Sequence, residues 1–226
     1  MSDASAPSRP TITLKLATSL DGRIALANGV SKWITGEAAR AEVHRLRASH
    51  DAVIVGSETV LADDPELTAR IDPMPDKQPL RVVADSRGRV PASAKLFSTL
   101  EMGPVAIATL ETMDLERWPS TKGLQFWMLP AGEGSSSVSL VEMMNSAQRA
   151  GVTSMMIEGG GQLAASFVRA GLVDRIEWFR APVLLGGDGL PCLGGLGLEA
   201  LDAAPRFERV GVKEVGVDLW ESYRRR

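Results

Sequence analysis

The sequence predicts an α/β sandwich of three layers built on a mixed sheet. Two observations carry this: short apolar runs alternate with segments of helical periodicity, and the chain closes on two runs that read as an antiparallel pair. The first strand is residues 11–18 (TITLKLAT). Thr35 then offers an N-cap for a helix to about Ala48, with Glu37 in the first turn, where the helix dipole favours an anion. Residues 52–55 (AVIV) form a strand ended by Gly56. Residues 80–84 (LRVVA), 105–108 (VAIA) and 124–129 (LQFWML) are further strands between polar turns containing Pro and Gly. Residues 138–150 carry Leu140, Val141, Met144 and Ala147 at helical spacing, and Gly151 is a natural helix stop. A strand over 154–157 runs into three glycines and a helix to about Ala170. A longer strand, 175–185, is interrupted by Pro182, and residues 186–197 read as a Gly-rich loop. Residues 207–212 and 215–223 are the closing pair, joined by a tight turn at Lys213 and Glu214.

No internal repeat is present, and GEGSSS at 132–137 is too short to separate domains. Residues 10–226 are therefore expected to form one domain behind a disordered tail at 1–9. The composition is that of a globular protein, 44% hydrophobic and 23% charged. A net charge of −3 gives no reason to expect nucleic acid or a membrane surface as a partner. Cys192 is the only cysteine, which excludes an intrachain disulfide or Cys-based zinc site and fits a cytoplasmic location. No apolar run approaches the roughly 20 residues of a membrane helix, and MSDASAPSRP lacks the pattern of a signal peptide.

The polar residues of the first third are unusually placed. Lys15 interrupts an apolar strand, and a lysine there is either at a sheet edge or in a pocket with a partner; Asp21 is one candidate, although Asp21 and Gly22 form a turn on the simplest reading. Arg47 ends a helix, Arg70 follows the turn Asp63-Asp64-Pro65, and with Ser31 they form a candidate clamp for a phosphate monoester. Trp33, among polar neighbours, is either a half-buried packing residue or a stacking platform. Glu158-Gly159-Gly160-Gly161-Gln162 lies between a strand and a helix, where backbone amides can approach a pyrophosphate; a flexible turn explains three glycines equally well. Its spacing is not that of a Rossmann fingerprint. Asp85-Ser86-Arg87-Gly88 reads as a solvated turn, or as a seat for a 2′-phosphate. His44 and His50 are expected at the surface. No metal-ligand cluster and no Ser-His-Asp signature stands out, which favours chemistry carried by a cofactor.

Taken together, these residues resemble the reductase domain of riboflavin biosynthesis, the C-terminal half of bifunctional pyrimidine deaminase/reductases. The matching motifs are KLATSLDG at 15–22, SKWITG at 31–36, LRA at 46–48, DAVIVG at 51–56, Thr59, DDPELTAR at 63–70, EGG at 158–160 and APVLLG at 181–186. The resemblance covers about residues 10–223, least specifically over 96–137. It implies a dihydrofolate-reductase-like fold with helices on both faces of a mostly parallel sheet, commonly as a homodimer. It further implies NADPH-dependent reduction of a phosphorylated pyrimidine, 5-amino-6-(5-phosphoribosylamino)uracil or its 2,5-diamino-pyrimidinone counterpart, to the ribitylamino product. By the same resemblance, Ala17, Trp33, Thr59, Asp63, Ser86, Gly160, Gly161, Gln162, Leu163, Ala164, Ala165 and Ser166 bind NADPH. Ser31, Arg47, Leu67, Arg70 and Glu158 bind the substrate, and Lys15, Asp63 and Glu158 stand at the reacting centre. A single cysteine, with no room before residue 10, cannot build the deaminase zinc site, so the chain is expected to be a reductase alone or one cut from a fusion. Two other readings are a paralogue acting on another small molecule such as dihydrofolate, and an NADPH-binding protein without catalysis.

Overall fold

A computed structural model describes residues 9–226; the expected tail lies outside them except for Arg9. Arg9 is anchored: its guanidinium donates twice to Asp174 at 2.7 Å, and that carboxylate also accepts the Ile12 amide at 2.8 Å.

The chain runs β1 (Thr11–Thr18), β2 (Arg23–Ala25), α1 (Glu37–Ala48), β3 (Ala52–Gly56), α2 (Ser57–Asp63), β4 (Leu80–Ala84), α3 (Lys95–Ser98), β5 (Val105–Leu110) and β6 (Leu124–Leu129). It continues through α4 (Leu140–Arg149), β7 (Ser154–Glu158), α5 (Gly161–Arg169), β8 (Arg175–Arg180), β9 (Leu190–Pro191), β10 (Phe207–Val215) and β11 (Asp218–Arg225). The main sheet has nine strands in the order β10-β11-β8-β1-β7-β3-β4-β5-β6. From β8 to β6 every neighbour is parallel, and β11 and β10 add antiparallel to β8. This is the expected α/β class with a mixed, mostly parallel sheet.

Period-2 alternation sorts the side chains of β1 between two faces. Ile12, Leu14 and Leu16 join Ile54, Ile157, Met143, Ala147, Phe167 and Val168 in one core, under α4 and α5. On the opposite face Val53, Val55, Val83 and Met156 pack against Val60 of α2 and Leu96 and Phe97 of α3, while α1 seats Ala39 and Val43 on Phe179 and Val215. The central strands are apolar on both sides because helices cover both sides. Between α1 and α2 the second face is left open. The site lies there.

Several boundaries differ from the sequence expectation. Gly36, not Thr35, caps α1, and its amide donates to Asp218 Oδ2 at 2.7 Å. The strand expected over 175–185 stops at Arg180, ahead of Pro182, which has no amide to give a ladder. The closing turn is at Gly216 and Val217: Gly216 takes φ +66°, while Lys213 and Glu214 stay in register with Trp220 and Leu219. Ser139 caps α4 by accepting the Glu142 amide, and Met143 takes the core position expected for Val141, which is 64% exposed. α2, α3 and β2 carried no sequence expectation, and β9 falls inside the expected loop at 186–197; all four are short, and β2 and β9 pair only with each other.

Candidate active site

Insertion of β7 between β1 and β3 puts Lys15 and Glu158 at paired positions of adjacent parallel strands. Arg47, in the last turn of α1, reaches the same carboxylate. Its Nε donates to Glu158 Oε1 at 2.5 Å and its Nη2 to Oε2 at 3.0 Å, while Lys15 Nζ lies 3.7 Å from Oε2. Glu158 is 7% exposed. Burial opposes its ionisation, but the charges of Arg47 and Lys15 overcome that and hold the carboxyl at about 2. Burial pushes the Lys15 ammonium below its ordinary range against the pull of Glu158, and Arg47 lowers it further. Lys15 therefore pairs with Glu158 rather than Asp21. Asp21 instead accepts the Ser19 hydroxyl and the amides of Leu185 and Gly186.

The far wall of the cleft is the segment 63–70. Asp64 closes α2 in the left-handed region (φ 42°), and buried Leu67 adopts φ 60°, a conformation rare for leucine that persists where surroundings enforce it. The enforcement is visible. Gln78 clamps the backbone of Ala69 with bonds of 2.7 and 2.8 Å, and fully buried Arg81 donates to the Glu66 carbonyl at 3.0 Å. From this braced segment the Thr68 carbonyl accepts from Arg47 Nη1 at 3.0 Å, and the Arg70 amide donates to His44 Nδ1 at 3.2 Å. The Arg70 side chain meets Glu66 and the Thr68 hydroxyl, both at 3.0 Å.

Between α1 and this wall lies a cleft of about 820 Å³, within the range of small-molecule sites. It brings together Lys15, Ala17, Ser31, Trp33, Arg47, Asp63, Leu67 and Arg70. Trp33 is 69% exposed at its mouth, and Asp63 faces Lys32 at 3.5 Å.

Thr59, Ser86 and the glycine turn lie outside this lining. Gly159 and Gly160 take φ +86° and +82°, and the amides of Gly161, Gln162 and Leu163 at the start of α5 have no partner among the described residues. A Cβ on Gly159 would stand 3.4 Å from Thr59 Oγ1. Ala164 bonds back to the Gly160 carbonyl, Ala164 and Ala165 are buried in the core, and the Ser166 hydroxyl donates to Gln162. The backbone amides left open at this helix start are thus those of Gly161, Gln162 and Leu163. Ser86, in the turn after β4, uses its Oγ to accept the Val138 amide. We expect Gly159→Ala to cost about 1–2 kcal/mol, because alanine pays for a left-handed φ, and to raise the KM of a dinucleotide while sparing that of the second ligand. Thermal melts and initial rates check both.

His44 and His50, expected at the surface, are half-buried and hydrogen-bonded. His44 lines the cleft, and His50 bridges the Leu46 carbonyl at 2.7 Å and Thr13 Oγ1 at 3.0 Å. Sequence reasoning also passed over Arg40, Glu66, Gln78 and Arg81. Arg40, His44 and Arg47 fall at i, i+4 and i+7, one face of a helix, a signal present in the sequence.

Comparison with known proteins places the chain in a family. Residues 10–220 match the profile of the RibD C-terminal domain. Riboflavin biosynthesis protein RibD of Actinobacillus pleuropneumoniae is 35% identical over 217 residues, 95% of this chain and 57% of that protein. RibD of Mycobacterium tuberculosis is 38% identical over 212 residues, 93% and 53% of the two chains. The chain thus spans a little over half the length of these relatives. Among solved structures, Acinetobacter baumannii RibD superposes with a TM-score of 0.83 at 30% identity, covering 97% of this chain and 59% of that one. The Saccharomyces cerevisiae riboflavin biosynthesis reductase Rib7 shares the fold, with a TM-score of 0.75 at 18% identity over 100% of this chain and 93% of that one.

Proposed function

The chain belongs to the RibD C-terminal domain family, and we propose that it uses NADPH to reduce a 5-phosphoribosylamino-pyrimidine to its ribitylamino product in riboflavin biosynthesis. The substrate is 5-amino-6-(5-phosphoribosylamino)uracil or its 2,5-diamino-pyrimidinone counterpart. The observation that carries the reading is the buried Lys15–Glu158–Arg47 cluster on the floor of a cleft, one residue ahead of a double-glycine turn and a helix start. These residues fit a dinucleotide. Adjacent glycines with positive φ let backbone approach a pyrophosphate, and three amides without a partner among the described residues, with the helix dipole, favour an anion.

Reduction requires the sugar to open from a glycosylamine to an imine, so that C1′ accepts a hydride and the imine nitrogen a proton. NADPH, when bound, would supply the hydride. Lys15 stands at the reacting centre, its Nζ 3.7 Å from Glu158 and its ammonium pushed below its ordinary range by burial, so that it holds a proton beside the reacting nitrogen. Glu158 stays ionised and fixes both Lys15 and Arg47, so the charges need no reorganisation during the step. Ser31, Arg47 and Arg70 hold the sugar phosphate, and Leu67 is an apolar wall beside it. Ala17, Trp33, Thr59, Asp63, Ser86, Gly160, Gly161, Gln162 and Leu163 would hold the NADPH. The reading also takes the chain as a cytoplasmic homodimer; in support, edge strand β10 leaves Val210 and Val212 more than half exposed.

The test is NADPH consumption, followed by absorbance, with the phosphorylated pyrimidine and its dephosphorylated form. Turnover of the first with a higher KM for the second is expected. Absence of turnover with either pyrimidine overturns the reading.

A further inference from the structure

The cleft is locally basic in a chain of net charge −3: Lys15, Lys32, Arg40, Arg47, Arg70 and Lys95 line it against Asp63, Asp64 and Glu66, with Glu158 beneath. Most of these cations are already committed. Lys15 and Arg47 share Glu158, Lys32 faces Asp63 at 3.5 Å, Arg70 faces Glu66 at 3.0 Å, and Lys95 faces Asp64 at 3.8 Å. Arg47, the expected centre of a phosphate clamp, also spends Nη1 on the Thr68 carbonyl. Arg40 differs. Among the described residues it has no carboxylate partner, and its one hydrogen bond runs from Nη1 to the Thr35 carbonyl at 2.8 Å. Its guanidinium lies 4.5 Å from the centroid of the Trp33 ring, which orients the plane and leaves the remaining N–H donors uncommitted.

We propose that Arg40 is a further substrate-binding residue that joins Ser31, Arg47 and Arg70 on the phosphate monoester of the sugar, and so sets the preference for phosphorylated over unphosphorylated substrate. This rests on the reductase reading. A planar fork with free donors suits phosphate, and an unpaired guanidinium has no internal ion pair to break on binding. Arg40 lines the same cleft as His44 and Arg47 of α1, and Arg70, whose amide donates to His44, lines it too. The dinucleotide's anionic groups have their own donors at the start of α5.

Arg40→Met keeps the aliphatic stem over Trp33 and removes the charge; Arg40→Lys keeps the charge and loses the fork. For Arg40→Met we expect KM for the phosphorylated pyrimidine to rise about tenfold, with KM for the dephosphorylated form and for NADPH unchanged, and partial recovery in Arg40→Lys. A merely structural role would move both substrate forms equally, and that result overturns the proposal, as does a change confined to the NADPH KM. Thermal stabilisation by ribose 5-phosphate gives a readout independent of turnover. Stabilisation of the parent protein that is lost in Arg40→Met supports the assignment even if no pyrimidine is reduced. No stabilisation of the parent protein, or equal stabilisation of both, overturns it while leaving the reductase reading to its own assay.

Discussion

Glu158→Ala is expected to abolish measurable turnover and to lower stability by about 3–5 kcal/mol, the cost of leaving buried charges without their partner. Among the described residues the carboxylate is the only acid in contact with Lys15 and Arg47; Glu158 is buried and the two cations are mostly so. Removing it leaves two cations in one low-dielectric site, where Lys15 sheds its proton and Arg47 cannot. Glu158→Gln separates shape from charge: it keeps the packing, restores part of the stability and remains inactive. The pH dependence has a definite sign. The folded carboxyl sits at about 2 against an ordinary 4.5, so its contribution is fully present above pH 4.5 and is lost as the pH falls toward 2. Urea denaturation between pH 7 and 3 should show that loss in the parent protein and a smaller one in Glu158→Gln. Equal acid slopes, or retained turnover in either variant, would contradict the role given to this residue.

The second large effect is expected at Arg81→Met, far from any reacting atom. Arg81 is fully buried on β4, with burial lowering its pKa to about 10. It donates to the carbonyls of Glu66, Thr99 and Gly103 and to the Thr99 hydroxyl. Methionine fills the volume and satisfies none of them, and each buried unsatisfied carbonyl costs about 1–3 kcal/mol. We expect a loss of at least about 3 kcal/mol by urea denaturation. Because the Glu66 carbonyl belongs to the segment that presents Leu67, Thr68 and Arg70, KM for the pyrimidine should rise more than KM for NADPH. Gln78→Leu, which releases only the Ala69 clamp, should show the same KM pattern with a smaller stability loss. A stability change below about 1 kcal/mol in Arg81→Met would show that the carbonyls find other donors.

The parallel half of the sheet was legible because packing under helices writes its strands into the sequence as apolar runs. Residues 11–18, 80–84 and 124–129 are strands with the expected bounds. The periphery was less legible, since it depends on partners distant in sequence. Gly36 is fixed by Asp218, β2 exists only against β9, and the final turn is placed by the register of Lys213 and Glu214 on β11. Much the same division holds for the site. Lys15 stood out as a charge in an apolar strand, and Glu158 as the residue before two glycines. Arg81 interrupts LRVVA as plainly as Lys15 interrupts TITLKLAT, and the same rule applied to it marks the brace of the cleft wall. Arg40 and His44 need the helix drawn before their common face with Arg47 appears. Which cations are already paired with acids is a tertiary fact that no spacing reveals.

The most direct test follows the hydride itself. With NADPH deuterated at the transferable C4 position and the phosphorylated pyrimidine as substrate, mass spectrometry and proton NMR of the product should show one deuterium, at C1′ of the ribityl chain, with formation abolished in Glu158→Ala. A product without deuterium at C1′, or oxidation of the cofactor with the sugar unchanged, would contradict the account.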